Sequence, residues 1–434
     1  MGRARLRIAI SCIVVALCAA VGLWLMLVKT GDAPRNATAS RLDRHRSHSP
    51  IPDASAPDSQ SNDNTAASAS PPMRWDESMC DAALGATETG IGWLTKDVRL
   101  TLEQRKAESE FKKIMESAAE SSVPLERAVA LHLQAKTKAG ETRNLLLKQY
   151  SNCKSGEPCR KEFEAAVTAA PLPERDAIAQ LAIALPDPQL YALVYRTCKQ
   201  QQQGFCQAIS AAQWAQRDPT NGTAWLYAAG EAKAAQQNQA YEEALYKLSI
   251  STHFESGNAA IGAAMDTLST LAESQLTRMQ LFWQTAGSSG QLSNYALVTD
   301  HCNGHALQNP NRQQICDRIA NTLLLSGESF FDRAVGIGIG SNLHWSPERM
   351  ATLRDEQDAM RELKLAGLPS EETSISGAIS QCRFMMRQAT IRSRDLRLGE
   401  VRSLKAQIAE QPESVAALAQ RYRDRGKAAA PATP

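Results

Sequence analysis

The sequence predicts an all-α protein of antiparallel helix hairpins in a repeat-like, solenoid-type array, preceded by one N-terminal transmembrane helix. Three observations predict it. β-Branched runs with period-two alternation are nearly absent, while Ala, Leu, Gln and Glu are plentiful. Proline, or Asp-Pro and Ser-Pro, repeatedly precedes a run with helical apolar spacing. An uncharged apolar stretch near the start follows a basic cluster.

That stretch comes first. Arg3, Arg5 and Arg7 lie in residues 1–7, a basic and cytoplasmic N-terminus by the positive-inside rule. Residues 8–28, "IAISCIVVALCAAVGLWLMLV", carry no charge across 21 positions. At about 1.5 Å per helical residue this crosses a bilayer core. The small residues Ala19 and Ala20 lie inside the apolar run instead of after it, so an uncleaved signal-anchor is expected. Everything beyond Lys29 is then expected outside the cytoplasm, in the periplasm of a bacterial cell. Residues 29–72 are rich in Ser, Ala, Pro and Asp and offer little to bury, as a disordered linker does. Residues 73–425 form the expected helical domain, and "GKAAAPATP" at 426–434 a short disordered tail.

Within the domain the starts are specific. Pro124 precedes "LERAVALHL", Pro173 precedes "ERDAIAQLAIAL", Asp187-Pro188 precedes "QLYALVYRTCK" and Ser346-Pro347 precedes "ERMATLRDEQDAMREL". Gly257, Gly290 and Gly367 are expected as helix stops. Such marks give roughly 14 to 16 helices between Trp75 and Tyr422.

Tyr191 and Trp225 each stand early in a helix after an Asp-Pro, 34 positions apart. In "AWLYAAGEAKAAQQNQAYEEALYKL", Trp225 is an early aromatic, and Ala228 and Ala229 are small first-helix residues. Tyr241 and Ala244 follow on the second helix. Over about residues 188–255 this resembles tetratricopeptide repeats, whose period is about 34 residues. The resemblance implies stacked helix pairs and a surface for a protein or peptide partner. Of the first-helix aromatics Tyr191, Tyr195, Trp225 and Tyr227, most are expected in the core. Tyr227 is expected on the exposed, partner-binding side.

Ten cysteines are present, with Cys12 and Cys18 in the anchor. The other eight suit an oxidising compartment, where disulfides brace small helical units. Local spacing suggests Cys153 with Cys159, Cys198 with Cys206 and Cys302 with Cys316, leaving Cys80 for Cys382. A competing reading of "HCNGH" takes His301, Cys302, His305 and Cys316 as zinc ligands. The spacing matches no known zinc pattern, so a bridged loop is preferred and no metal or cofactor is assigned.

No catalytic residue is assigned either. Gly336, Gly338 and Gly340 in "AVGIGIGSN" follow a helical run, not a strand, so helix packing is expected over phosphate binding. His132 lies in an apolar helix and reads as a packed core residue. From Arg383 to Lys427 there are eleven Lys/Arg against five Asp/Glu. Arg383, Arg387, Arg394 and Arg397 share one helical face and are candidates for contact with an acidic partner. The formal net charge of +2 is too small for a dedicated nucleic-acid binder. The sequence thus favours a membrane-anchored interaction or assembly module, with a cell-envelope hydrolase of cell-wall polymer or lipid as the alternative.

Overall fold

The computed structural model describes residues 92–150, 157–170, 172–199, 203–285, 293–366 and 378–428, all within the unit Ser68–Pro434. The expected anchor, the linker, Cys80, Cys153, Gly290 and Gly367 lie outside the described residues. Among the described residues there are seventeen α-helices, two short 3-10 helices and no strand. No described helix is long and apolar enough to cross a membrane.

The helices are α1 (Gly92–Ala119), α2 (Pro124–Gln149), α3 (Glu157–Ala169), α4 (Pro173–Ala184), α5 (Pro188–Cys198) and α6 (Ala211–Arg217). Next come α7 (Gly222–Ala234), α8 (Asn238–Ser249), α9 (Asn258–Ser269), α10 (Gln275–Gln284), α11 (Ser293–His301) and α12 (Pro310–Ser326). The last are α13 (Phe330–Asn342), α14 (Pro347–Ala366), α15 (Ala378–Leu398), α16 (Glu400–Ala409) and α17 (Val415–Ala428). Proline occupies the first turn of α2, α4 and α5, where its missing N–H is no loss. Asp187 caps α5 by accepting from the backbone N–H of Gln189 (2.8 Å) and Leu190 (3.1 Å). Ser210, Asn221, Ser274 and Asn309 cap α6, α7, α10 and α12 in the same way.

The structure exceeds the expected count because two boundaries carry weak signals. α6 is only seven residues long. α15 and α16 are separated by a single residue, Gly399, at φ +80°. Gly257 is corrected. It does not end a helix but stands at φ +87° just before α9, where an added Cβ would lie 2.8 Å from the Leu193 backbone nitrogen. The triple-glycine run lies inside α13. A Cβ on Gly336 would meet the Ala320 carbonyl at 2.9 Å, and one on Gly340 the Trp345 ring at 2.3 Å. These two glycines set close helix packing.

Consecutive helices pack on each other in α1–α2, α4–α5, α6–α7, α7–α8 and α12–α13. Longer returns bring α9 onto α2 and α5, α10 onto α1, and α15 onto α9 and α10. One hydrophobic cluster is built from α1, α2, α4, α5, α6, α9, α10 and α15, with Ala224 and Tyr227 of α7. A second joins α7, α8, α11, α12 and α13. Trp225 and Ala228 of α7 pack against both. This follows from the composition of α7, "GTAWLYAAGEAKA", which is apolar or small around most of its circumference. The α7–α8 hairpin is therefore the junction between the two cores. Its turn is three residues, with Gln236 in the left-handed region at φ 59°.

Asn221 fixes the approach to this hairpin. Its amide donates to Asp218 Oδ2 (3.0 Å) and the Glu255 carbonyl (2.9 Å), and its Oδ1 accepts from Thr223 N (3.0 Å) and Glu255 N (3.1 Å). It is fully buried with every hydrogen-bonding position used. The segment between α8 and α9 is thereby stapled to the start of α7, with a single bridge between Asn221 and His253.

Candidate functional site

Four aromatic positions of α5 and α7 go where the packing of these helices sends them. Tyr191 and Tyr195 are in the core. Tyr195 donates to Glu231 Oε1 (2.9 Å), while Glu231 Oε2 accepts from Ala211 N (2.9 Å), so one carboxylate ties α5, α6 and α7 together. Trp225 is half-buried and donates through Nε1 to the Pro219 carbonyl (2.7 Å). Tyr227 is corrected: it is 7% exposed, not on an open surface. Its ring lies 5.1 Å from Tyr195 and 5.9 Å from Trp214, and the Lys199 ammonium sits 4.1 Å from its centroid. Neighbours cover α7 on both sides, so no side of it is left for the tyrosine to be exposed on.

The basic stripe on α15 divides. Arg383 and Arg387 are exposed. Arg394 forms a two-pronged pair with Glu410, at 3.1 and 2.5 Å. Arg397 holds Asp266 Oδ1 through Nε (3.1 Å) and a terminal nitrogen (2.5 Å). These two are engaged within the chain, because Glu410 at the C-cap of α16 and Asp266 of α9 supply carboxylates that spacing along α15 does not reveal. Further along, Arg421 and Arg425 grip the buried carboxylate of Glu362, and Arg423 grips Asp355 and Asp358. Much of the basic C-terminal segment thus faces acidic groups of this same chain.

Cys198–Cys206 and Cys302–Cys316 are disulfides, and Cys159 is also disulfide-bonded. Cys382 lies in α15, with its side chain outside those described. With Cys302 bonded to Cys316, the competing zinc grouping loses both of its thiolates. Among the described residues no group of three potential ligands is arranged for a metal ion.

The structure also assembles a polar cluster that no motif announces. Lys136 of α2 donates to the Gln284 carbonyl (2.8 Å), at the C-terminal end of α10, where the helix dipole favours a cation. Arg392 of α15 donates to the neighbouring Thr285 Oγ1 (3.3 Å) and to Asn258 Oδ1 (3.4 Å). Arg196 of α5 donates to the same Asn258 oxygen (3.3 Å), to Ser256 Oγ (3.3 Å) and to the Ser256 carbonyl (2.7 Å). All three cations are half-buried. Burial, with Arg392 and Arg196 close by, pulls Lys136 down to about 8.

His132 stands one helical turn before Lys136. The Thr197 hydroxyl gives its single proton to the Leu193 carbonyl (2.9 Å), so His132 Nδ1 is the donor in their 2.8 Å contact. Its enclosed Nε2 carries a lone pair with no hydrogen-bond partner. Burial, then the charges of Arg196, Lys136 and Arg175, hold the ring at about 3, so it is neutral. The expectation of a packed histidine is met.

Carboxylates line the other side. Glu255 Oε1 accepts from Gly257 N (2.7 Å) and Ala259 N (3.2 Å) at the start of α9. Glu328 accepts from Ser256 N (3.0 Å) and Asn258 Nδ2 (2.7 Å). Both acids thus bind the chain's own backbone and amide groups. They staple the entry to α9 instead of waiting as an acid–base pair. Burial and the nearby Glu328 push Glu255 up to about 7, against the two amides and Arg196. A carboxyl raised in the folded state contributes stability at low pH, and this is lost as pH rises from its ordinary value through the raised one. Glu255→Gln, which keeps the accepting oxygen, is expected to remove part of the fall in stability between pH 5 and pH 8. Denaturation midpoints of both proteins across that window check it, and parallel curves would contradict it.

Comparison with protein-family models, with curated proteins and with solved structures finds no match to this chain.

Proposed function

We propose that this chain is an extracytoplasmic interaction or assembly module, held at a bacterial inner membrane by residues 8–28. Its hairpins stack as a repeat-like array, and the α7–α8 hairpin presents its outer face to a protein or peptide partner in the cell envelope. One observation carries the reading. α8 buries Tyr241, Ala244, Leu245 and Leu248 against the second core, yet Tyr246 is 46% and Ile250 45% exposed. Glu243 and Tyr246 lie on the solvent side of α8, and Ile250 is exposed at its C-cap. Tyr246 in the last turn of α8 and Ile250 at its C-cap thus form a small apolar pair at the end of a packed helix, the kind of feature a groove on a partner recognises.

Two further features support it. The disulfides Cys198–Cys206 and Cys302–Cys316 suit an oxidising compartment and are rare in the cytosol. The 34-position spacing of Tyr191 and Trp225 supports a tetratricopeptide-like organisation of residues 188–255. The polar cluster gives no competing hydrolytic reading, because its carboxylates already serve α9.

The double variant Tyr246→Glu with Ile250→Glu tests this. Both side chains are already half in water, so folding should change by less than about 1 kcal/mol. Recovery of the partner with the full chain, purified in detergent after crosslinking in cells, is expected to fall at least about tenfold. Undiminished recovery from an equally folded variant would refute the docking role of α8.

A further inference from the structure

Lys136, Arg196 and Arg392 deliver three positive charges from three separate helices to one place. Neutral oxygens position them: the Gln284 carbonyl, Thr285 Oγ1, Ser256 Oγ and carbonyl, and Asn258 Oδ1. Arg196 and Arg392 meet on a single amide oxygen, and neither forms an ion pair within 4 Å among the described residues. Asn258 cannot turn its amide away, because its Nδ2 is held by Glu328 and Ser256 Oγ. Like charges held in one half-buried place repel one another.

The acids that act on Arg392 from a distance are Asp395, Glu328 and Glu400. Each is engaged with another group. Asp395 is hydrogen-bonded by Ser403, and Glu328 by Ser256 and Asn258. Glu400 accepts from Phe330 N and Lys364. The cationic side of the cluster is therefore built and oriented, with its nearest acids turned to other donors.

We propose that the half-buried cluster where α2, α5, α9, α10 and α15 meet binds a small tetrahedral oxyanion of the phosphate or sulfate type, with Lys136, Arg196 and Arg392 as its ligands. A planar carboxylate is matched by one guanidinium fork. Donors arriving from three helices instead suit an anion whose oxygens point in several directions and whose charge is about two. This inference concerns the interior of the helical body and stands apart from docking on α8.

The test is thermal unfolding of the full chain in detergent, titrated with inorganic phosphate, sulfate, glycerol 3-phosphate, acetate and chloride at constant ionic strength. Phosphate and sulfate are expected to raise the midpoint along a saturating curve, while acetate and chloride leave it unchanged. A response to glycerol 3-phosphate at least equal to that of phosphate identifies a phosphomonoester on a larger molecule as the source; a weaker one identifies the free ion. Lys136→Gln and Arg392→Gln are expected to weaken the response at least about tenfold, and Lys136→Arg to retain most of it. If Arg392→Gln fails to fold, the two Lys136 variants decide. Generic stabilisation by excluded anions does not saturate and would be the same in every variant. Finding that pattern, or no rise with phosphate, overturns the proposal.

Discussion

Trp214→Ala is expected to destabilise the helical body by about 3–5 kcal/mol. The indole is fully buried at 0% exposure, and it comes from α6, a helix of only seven residues. Such a short helix has little stability of its own and depends on what its side chains fill. Trp214 fills the space between α5 and α7. Its ring centroid is 5.4 Å from that of Tyr195 and 5.9 Å from that of Tyr227, the latter pair stacked. Removing it opens a cavity that three anchored groups prevent from closing. Tyr195 is held by Glu231, Glu231 by the Ala211 backbone, and Tyr227 lies under Lys199. Urea unfolding measures the loss, and Trp214→Phe should recover part of it. A loss below about 1 kcal/mol would mean that α6 is not the wedge described here.

The second large effect is electrostatic. Arg333 of α13 is 2% exposed, and its guanidinium donates to Glu356 of α14. Burial lowers the tendency of this arginine to hold its charge, and Glu356 opposes that. Glu356→Ala would strand a buried cation, at an expected cost of about 3–5 kcal/mol. The diagnostic is the double variant. Arg333→Met fills similar space without charge, so Arg333→Met with Glu356→Ala should recover most of the loss. If the double variant is as unstable as Glu356→Ala alone, packing and not charge compensation explains the cost. The Arg333 Nε has no hydrogen-bond partner, which makes the pair with Glu356 the main compensation for its burial.

The helical class was legible because its punctuation is local. Pro124, Pro173, Pro188 and Pro347 each open a helix where the sequence places one, and Asp187 and Ser346 supply cap oxygens to the turns that follow. Two disulfides were legible for the same reason, since each closes a short loop between helices. What failed to show is long-range. The stripe on α15 looks available until Glu410 and Asp266 arrive from other helices. Tyr227 looks exposable until α7 is seen packed on both sides, a placement that Ala224, Ala228, Ala229 and Ala232 already hinted at. The cluster of Lys136, Arg196 and Arg392 has no spacing signal at all. Each residue alone reads as one more basic residue on an amphipathic helix, and only the return of α15 onto α9 and α10 brings them together.

The most direct test of the interaction reading is photocrosslinking in living cells, with a photoreactive residue placed singly at position 246, at 250, and, as control, at the exposed position 112 of α1. The expected result is one discrete heavier species from 246 and 250, absent at 112, that carries the same partner protein. A chain that stays uncrosslinked at 246 and 250, or gives the same diffuse products from all three positions, would contradict a docking surface on α8.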